Sequence, residues 1–369
     1  MKQRTLLLLT VITVIVAAAA IINSRSRAPQ SSIEKPLLFP KLGGRINDVD
    51  EIDIQGKGKS LNLVKKGDDW NIRQAGGYPA LFTKVKPVII GISDLRVLDK
   101  KTSNPELYPR LGVEDPGGKR AESYLVTLKS GSGDLASLIV GHRRKSSAPG
   151  GSEGLYVRLP GQATSLLVEG NVDISSDVTD WIERTLFNIA ADRIKSIGIN
   201  HPGEDELVLS RDSDVGKFTI KDLPKGKEPE SDVILSRMQT LLENFFIRNI
   251  KSRESVQFPE AKVVTTVRTF DGLVATITSA RVHDENLSHF GFGFDESAVQ
   301  KSDTAPMKGA EDKKDAPAKP DVKAEAEGLN QKYSPWVFVI PDFKFDLLTK
   351  EKDKLIKDKT AKQAEKAKS

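Results

Sequence analysis

The chain writes one alternating pattern twice. "VDEIDIQGKGKSLNLVKKGDDWNI" runs from Val49 to Ile72, and "DRIKSIGINHPGEDELVLSRDSDVGKFTI" from Asp192 to Ile220. Each holds an alternating apolar run, a Gly-containing polar turn, a second alternating run and a third short apolar pulse. Period-2 alternation buries one face of a strand and wets the other, so each passage predicts three short antiparallel strands. In the first copy the inward positions are Ile52 and Ile54, then Leu61 and Leu63, then Trp70 and Ile72. Such a half-buried sheet needs a second layer on its apolar face.

A helix follows each passage. In "TKVKPVIIGISDLRVL", Val85, Val88, Ile89, Ile92 and Leu95 share one helical face, with Pro87 expected near the end of the first turn. In "ESDVILSRMQTLLENFFIRNI", Ser231 is the expected cap, and Ile234, Met238, Leu241, Leu242 and Phe245 the buried face. The parallel then continues. "AESYLVTLKSGSGDLASLIVG" and "AKVVTTVRTFDGLVATITS" are each a strand pair, the second turning at Asp271-Gly272. "LYVRLPGQATSLLVEG" is matched by "WVFVIPDFKFDLL", and the halves close on "SDVTDWIERTL" and "TKEKDKLI".

The expected fold class is therefore α+β: two tandem, similar β-rich units of antiparallel strands plus one main helix each, after an N-terminal transmembrane helix. The units are expected over 45–187 and 189–359, and a single sheet merged across both remains the alternative. A length of 369 residues suffices for two separate cores. The second unit carries an insertion over 300–332, with seven Lys against seven acids and few apolar residues. It buries too little surface to offset ordering entropy, so a disordered loop is expected.

Thr5 to Ile22 is uncharged and apolar, and its eighteen residues reach about 27 Å as a helix, near a bilayer's hydrocarbon thickness. Residues 1–27 are expected to be an uncleaved anchor rather than a removed signal, because Ile21 and Ile22 prolong the apolar run beyond Ala18-Ala19-Ala20. A spacer over 28–44 includes "LLFP", expected to dock on the first unit, and 360–369 is a basic tail. The absence of cysteine excludes disulfides, thiolate metal sites and a lipidated cysteine. The net charge of +5 is concentrated at the ends, which carry +4 each and leave the body at −3. That placement argues against a nucleic-acid partner.

Candidate chemistry is sparse. "GHRRK" ends a strand, and its Arg143, Arg144 and Lys145 could receive an anionic headgroup or glycan acid. His283 and His289 in "RVHDENLSHFGFGFD" are the metal-ligand candidates, but their spacing matches no defined ligand motif. Alternating Phe290, Phe292 and Phe294 with glycine suits a strand with one aromatic face. No phosphate-binding loop, dinucleotide fingerprint, nucleophile elbow or zinc-protease motif is present in the sequence. In "KTSNPELYPRLGVEDP", Asn104 caps a short helix, Pro105 fills its first position and Gly112 stops it.

That last stretch, with "LLFP" and "RINDVDEIDI" before it and "DWIERTLFNI" after it, resembles the bacterial family catalogued as domain of unknown function 4340. The resemblance runs from Leu37 to about Ile250 and weakens afterwards; the insertion departs from the family pattern. It implies an N-terminally anchored exported protein, often encoded beside gliding-motility-type ABC transporter subunits, with no catalytic residues to carry over. The expectation is a non-enzymatic, single-pass protein of the cell envelope, its body on the periplasmic side and its partners the membrane, through 5–22, and transporter permease subunits. No cofactor is expected. A glycan- or peptide-binding module is the second reading and a metal-dependent hydrolase the third.

Overall fold

A computed structural model describes residues 35–118, 121–131, 133–145, 153–298 and 321–359. The expected membrane segment 5–22, the start of the spacer, the first part of the insertion and the tail lie outside the described residues. Among the described residues, no helix is long and apolar enough to cross a membrane.

The opening alternation becomes β1 (Glu51–Gly56), β2 (Lys59–Lys66) and β3 (Asp69–Ile72), followed by a short β4 (Tyr78–Pro79). Ile52, Ile54, Leu61, Leu63 and Ile72 are all fully buried, as one-faced strands require. Helix α1 (Phe82–Ser93) buries Val85, Val88, Ile89 and Ile92. It begins early, with Lys84 and Val85 N–H both donating to the Leu81 carbonyl, so Pro87 falls in the second turn. Then come β5 (Arg96–Lys100), α2 (Tyr108–Leu111), β6 (Tyr124–Ser130), β7 (Gly133–Arg144), β8 (Gly154–Arg158) and β9 (Ser165–Glu169). The nine strands form one sheet in the order β4-β3-β2-β1-β6-β7-β8-β9-β5. The "LLFP" stretch docks along β5: Leu37 bridges Arg96, and the Leu38 N–H donates to Leu95 at 2.7 Å.

The later elements are β10 (Thr185–Phe187), β11 (Ile194–Asn200), β12 (Leu207–Ser210), β13 (Thr219–Ile220), β14 (Lys227–Pro229) and α3 (Asp232–Gln239). After them come β15 (Phe245–Phe246), β16 (Asn249–Ser252), β17 (Val263–Thr269), β18 (Leu273–Val282) and β19 (Glu285–Phe294). The last described elements are α4 (Val322–Tyr333), β20 (Trp336–Val339), α5 (Asp342–Leu348) and β21 (Ile356–Asp358). Eight strands form a second sheet, β13-β12-β11-β17-β18-β19-β20-β16, and β10-β15 and β14-β21 are two-stranded ribbons. The class is α+β, with antiparallel pairing and few helices.

The two large sheets share one strand order. Beyond the extra edge strand β4 of the first, each runs through an opening meander backwards, then four consecutive strands, then a strand from the segment after the main helix. These are β3-β2-β1, β6 to β9 and β5 in one, and β13-β12-β11, β17 to β20 and β16 in the other, where the ribbon strand β15 comes between α3 and β16. A single merged sheet does not occur among the described residues. By contacts, 35–49, 56–58 and 87–174 form one compact unit, and 50–55, 59–86 and 175–359 another. That division does not coincide with the sequence boundary near 188.

The first unit holds an apolar cluster of Tyr108, Val113 and Ile139, with Leu111, Leu125 and Tyr156 against it. The second is built round aromatic rings. Phe187 stacks on Phe245 at 5.2 Å and meets Phe290 and Phe292 edge-on at 5.3 and 5.4 Å. Phe290 and Phe292 are the buried members of the alternating aromatic face on β19, and Phe294 is exposed.

Two expectations are corrected here. Residues 322–332 of the insertion are not a disordered loop but most of α4. Asp321 caps it by accepting from the Lys323 and Ala324 N–H groups, and Arg193 clasps Glu325 with two bonds of 2.9 and 2.7 Å. Ala326 and Tyr333 are buried, and the Tyr333 hydroxyl donates to the Leu186 carbonyl. Composition averaged over the insertion hides a helix fixed by caps and polar partners. The helix after Ser231 also stops at Gln239 instead of reaching Phe245. Buried Lys344 donates to the carbonyls of Leu241 at 2.7 Å and Glu243 at 3.0 Å, Asn244 takes a left-handed φ of 42°, and Phe245 enters β15.

Candidate functional site

The distinctive 101–116 stretch is fastened to its unit by side chains. Asn104 caps as its sequence position predicts, accepting from the Glu106 N–H at 3.1 Å. Ser165 on β9 both accepts from the Thr102 N–H and donates to its carbonyl. The Tyr108 hydroxyl donates to the Ala163 carbonyl at 2.5 Å. Arg158 on β8 is only 4% exposed and does most of the fastening. Its guanidinium lies 4.7 Å from the Tyr108 ring centre and donates to the Val113 carbonyl at 2.8 Å and to Asp115 at 2.7 Å. The stretch also lies close against β7. A Cβ on Gly141 would collide with the Leu111 carbonyl oxygen, and one on Gly112, where φ is +64°, would meet His142 at 2.6 Å.

Held this way, the stretch walls a groove of about 550 Å³ within the first unit. Lys100, Lys101 and Thr102 line it from the end of β5, Leu107, Arg110 and Leu111 from the helical turn, and Tyr156 from β8. Among the described residues, three cations and no carboxylate line it. Lys101 is paired with Asp99 at 2.6 Å, and that ammonium holds the Asp99 carboxyl below the usual carboxylate range. Among the described residues, Lys100 and Arg110 make no ion pair.

A second cleft, also about 550 Å³, lies within the other unit. Lys59 and Asp177 pair at 2.7 Å across it, and Lys251 pairs with Glu285. The Lys59 ammonium, followed by the Thr179 N–H and hydroxyl, pulls the Asp177 carboxyl down to about 2. Gln74 and Asn249 add amides to the wall. Its charges are matched within the protein, which distinguishes it from the first groove.

The remaining sequence candidates are dispersed. Arg143 is engaged with the Val172 carbonyl at 3.3 Å and Asp173 at 3.6 Å, while Arg144 and Lys145 are exposed at the end of β7. Strand pairing puts Arg144 opposite Gly154, in the row of Glu169 and Arg96, and it does not line the groove. His283 occupies the tip of the β18–β19 hairpin, where it and Asp284 both have positive φ. His289 lies mid-strand opposite Thr278, its Nε2 2.9 Å from the Ser334 carbonyl oxygen. Burial pushes the His289 imidazole below its ordinary range, favouring the neutral ring. The two histidines do not converge, and no metal-holding group of His, Cys, Asp and Glu occurs among the described residues.

Lys100 and Arg110 had no signal in the sequence beyond standing in or beside the distinctive stretch, and Arg158, far from it in sequence, had none. Only the pairing of β8 with β7 and β9 brings Arg158 beneath it.

Fold and site together define a two-sheet α+β protein with a cationic groove under a capped helical turn. Residues 70–267, more than half of the chain, match the family model "Domain of unknown function (DUF4340)", and the chain belongs to that family. Neither the curated proteins nor the solved structures contain a match.

Proposed function

We propose that this chain is a non-enzymatic, membrane-tethered protein of the cell envelope, acting as an accessory subunit of an ABC-type transporter complex. Residues 5–22 are the tether and the body stands on the extracytoplasmic side. The observation that carries this reading is the strand order common to the two large sheets, which supports an ancestral α+β unit used twice, over 45–187 and 189–359. Such a body offers two related surfaces to a partner assembly. The apolar segment at the N-terminus supports the tether, and the family resemblance supports the class of partner.

The test is recovery of tagged full-length protein from detergent-solubilised membranes. Transporter subunits are expected in stoichiometric amounts with it; recovery as a lone species contradicts the proposal. The cleft with Gln74, Asn249 and internally matched charges favours a second reading, a module that holds a polar envelope glycan. Retention on purified cell-wall material, lost in Gln74→Ala/Asn249→Ala, is the outcome that reading requires.

A further inference from the structure

We propose that the groove under the 101–116 stretch binds a phosphate ester carrying an apolar chain, the chemistry of a phospholipid headgroup. Charge comes first. Lys100, Lys101 and Arg110 rim the groove, and Lys100 and Arg110 have no ion pair among the described residues. An arginine fork beside two ammonium groups suits the several oxygens of a phosphate. The apolar side is equally specific. Leu107 is 37% exposed, and Leu111 and Tyr156 are half-buried, so three apolar side chains open onto the same space as the cations. A soluble inorganic anion has no use for them.

The site is also rigid. Arg158, Ser165 and the Tyr108 hydroxyl hold both walls before any ligand arrives, so little ordering entropy opposes binding. Its volume of about 550 Å³ falls in the range of small-molecule sites. Finally, the chain preceding the groove is stitched to the strand that carries it. Pro36 and Leu38 bond to β5 at Val97 and to Leu95, and Lys100 ends that same strand. Residues 23–34 between the apolar segment and this seam can span at most about 40 Å. A tethered body therefore keeps the groove within reach of bilayer headgroups, and this step rests on the tether proposed above.

The test is calorimetric titration of full-length protein in neutral detergent. The probes are a short-chain phosphatidylglycerol, glycerol phosphate without acyl chains, and an oligoglutamate peptide. Saturable binding of the phosphatidylglycerol is expected, weakened about tenfold or more in Lys100→Ala/Arg110→Ala and by added salt. Glycerol phosphate should bind about tenfold more weakly than the lipid. Unchanged lipid affinity in the double variant, equal affinity for glycerol phosphate, or preference for the peptide would each overturn the assignment. Both substituted side chains are exposed, so the variant keeps its fold, and a circular dichroism melt checks this. Membrane fractionation of both proteins scores the tether separately: lost lipid binding with retained membrane location indicts the groove alone, and a freely soluble protein that still binds lipid indicts the tether alone.

Discussion

Two buried cations show how single residues set local structure in this protein. Arg158 gives the 101–116 stretch two hydrogen bonds, to the Val113 carbonyl and to Asp115, and a ring contact with Tyr108, and its loss would leave the Val113 carbonyl buried without a donor. We expect Arg158→Ala to cost about 2–3 kcal/mol, read as a lowered midpoint in urea unfolding. Lys344 closes the end of α3 from the far side of the sequence. Burial pushes its ammonium down to about 8, and the Glu243 carboxylate opposes that shift. The unfolded chain holds this proton more tightly, with an ordinary lysine value near 10.4. Stability from this group is therefore full above about pH 10.4 and is lost as pH falls through about 8. Relative to Lys344→Met, the natural protein should gain stability as pH rises across that window. A pH-independent difference in melting temperature between the two would contradict this.

At the scale of elements, one clasp helps to hold α4 in place. Arg193 joins Glu325 on the helix to Asp271 in the β17–β18 turn, where it donates at 2.9 Å. Arg193→Ala should cost about 1–2 kcal/mol, because the pairs are partly exposed. The specific readout is faster amide exchange over 322–333, with β11 and β17 unaffected; uniform protection would argue against the clasp. The same helix shows where the sequence is legible and where it is not. Strands such as β1 and β2 are readable because alternation is a local signal, with every second side chain buried. Asn104 and Gly112 are readable for the same reason, since caps act on neighbouring residues. The helix α4 and the end of α3 are not, because Glu325 meets Arg193 and Lys344 meets Leu241 only through the finished fold. The groove is half legible. Its helical turn is written locally, whereas the meeting of Arg110 with Lys100 and Tyr156 needs three strands to be laid side by side.

For the whole molecule, the repeated strand order is the feature from which the functional account grows. A strand order shared by two sheets, a groove with Lys100 and Arg110 outside any ion pair among the described residues, and an apolar N-terminal segment are each consistent with the proposed role at a membrane surface. The metal-ligand candidates are not brought together, since His289 faces a backbone carbonyl and His283 stands at a hairpin tip. The central claim is the placement of this body outside the cell on its own tether. Protease added to intact spheroplasts measures it directly. The account predicts digestion of the body with a short N-terminal fragment left in the membrane pellet, whereas a full-length chain that survives until the cells are lysed would contradict it.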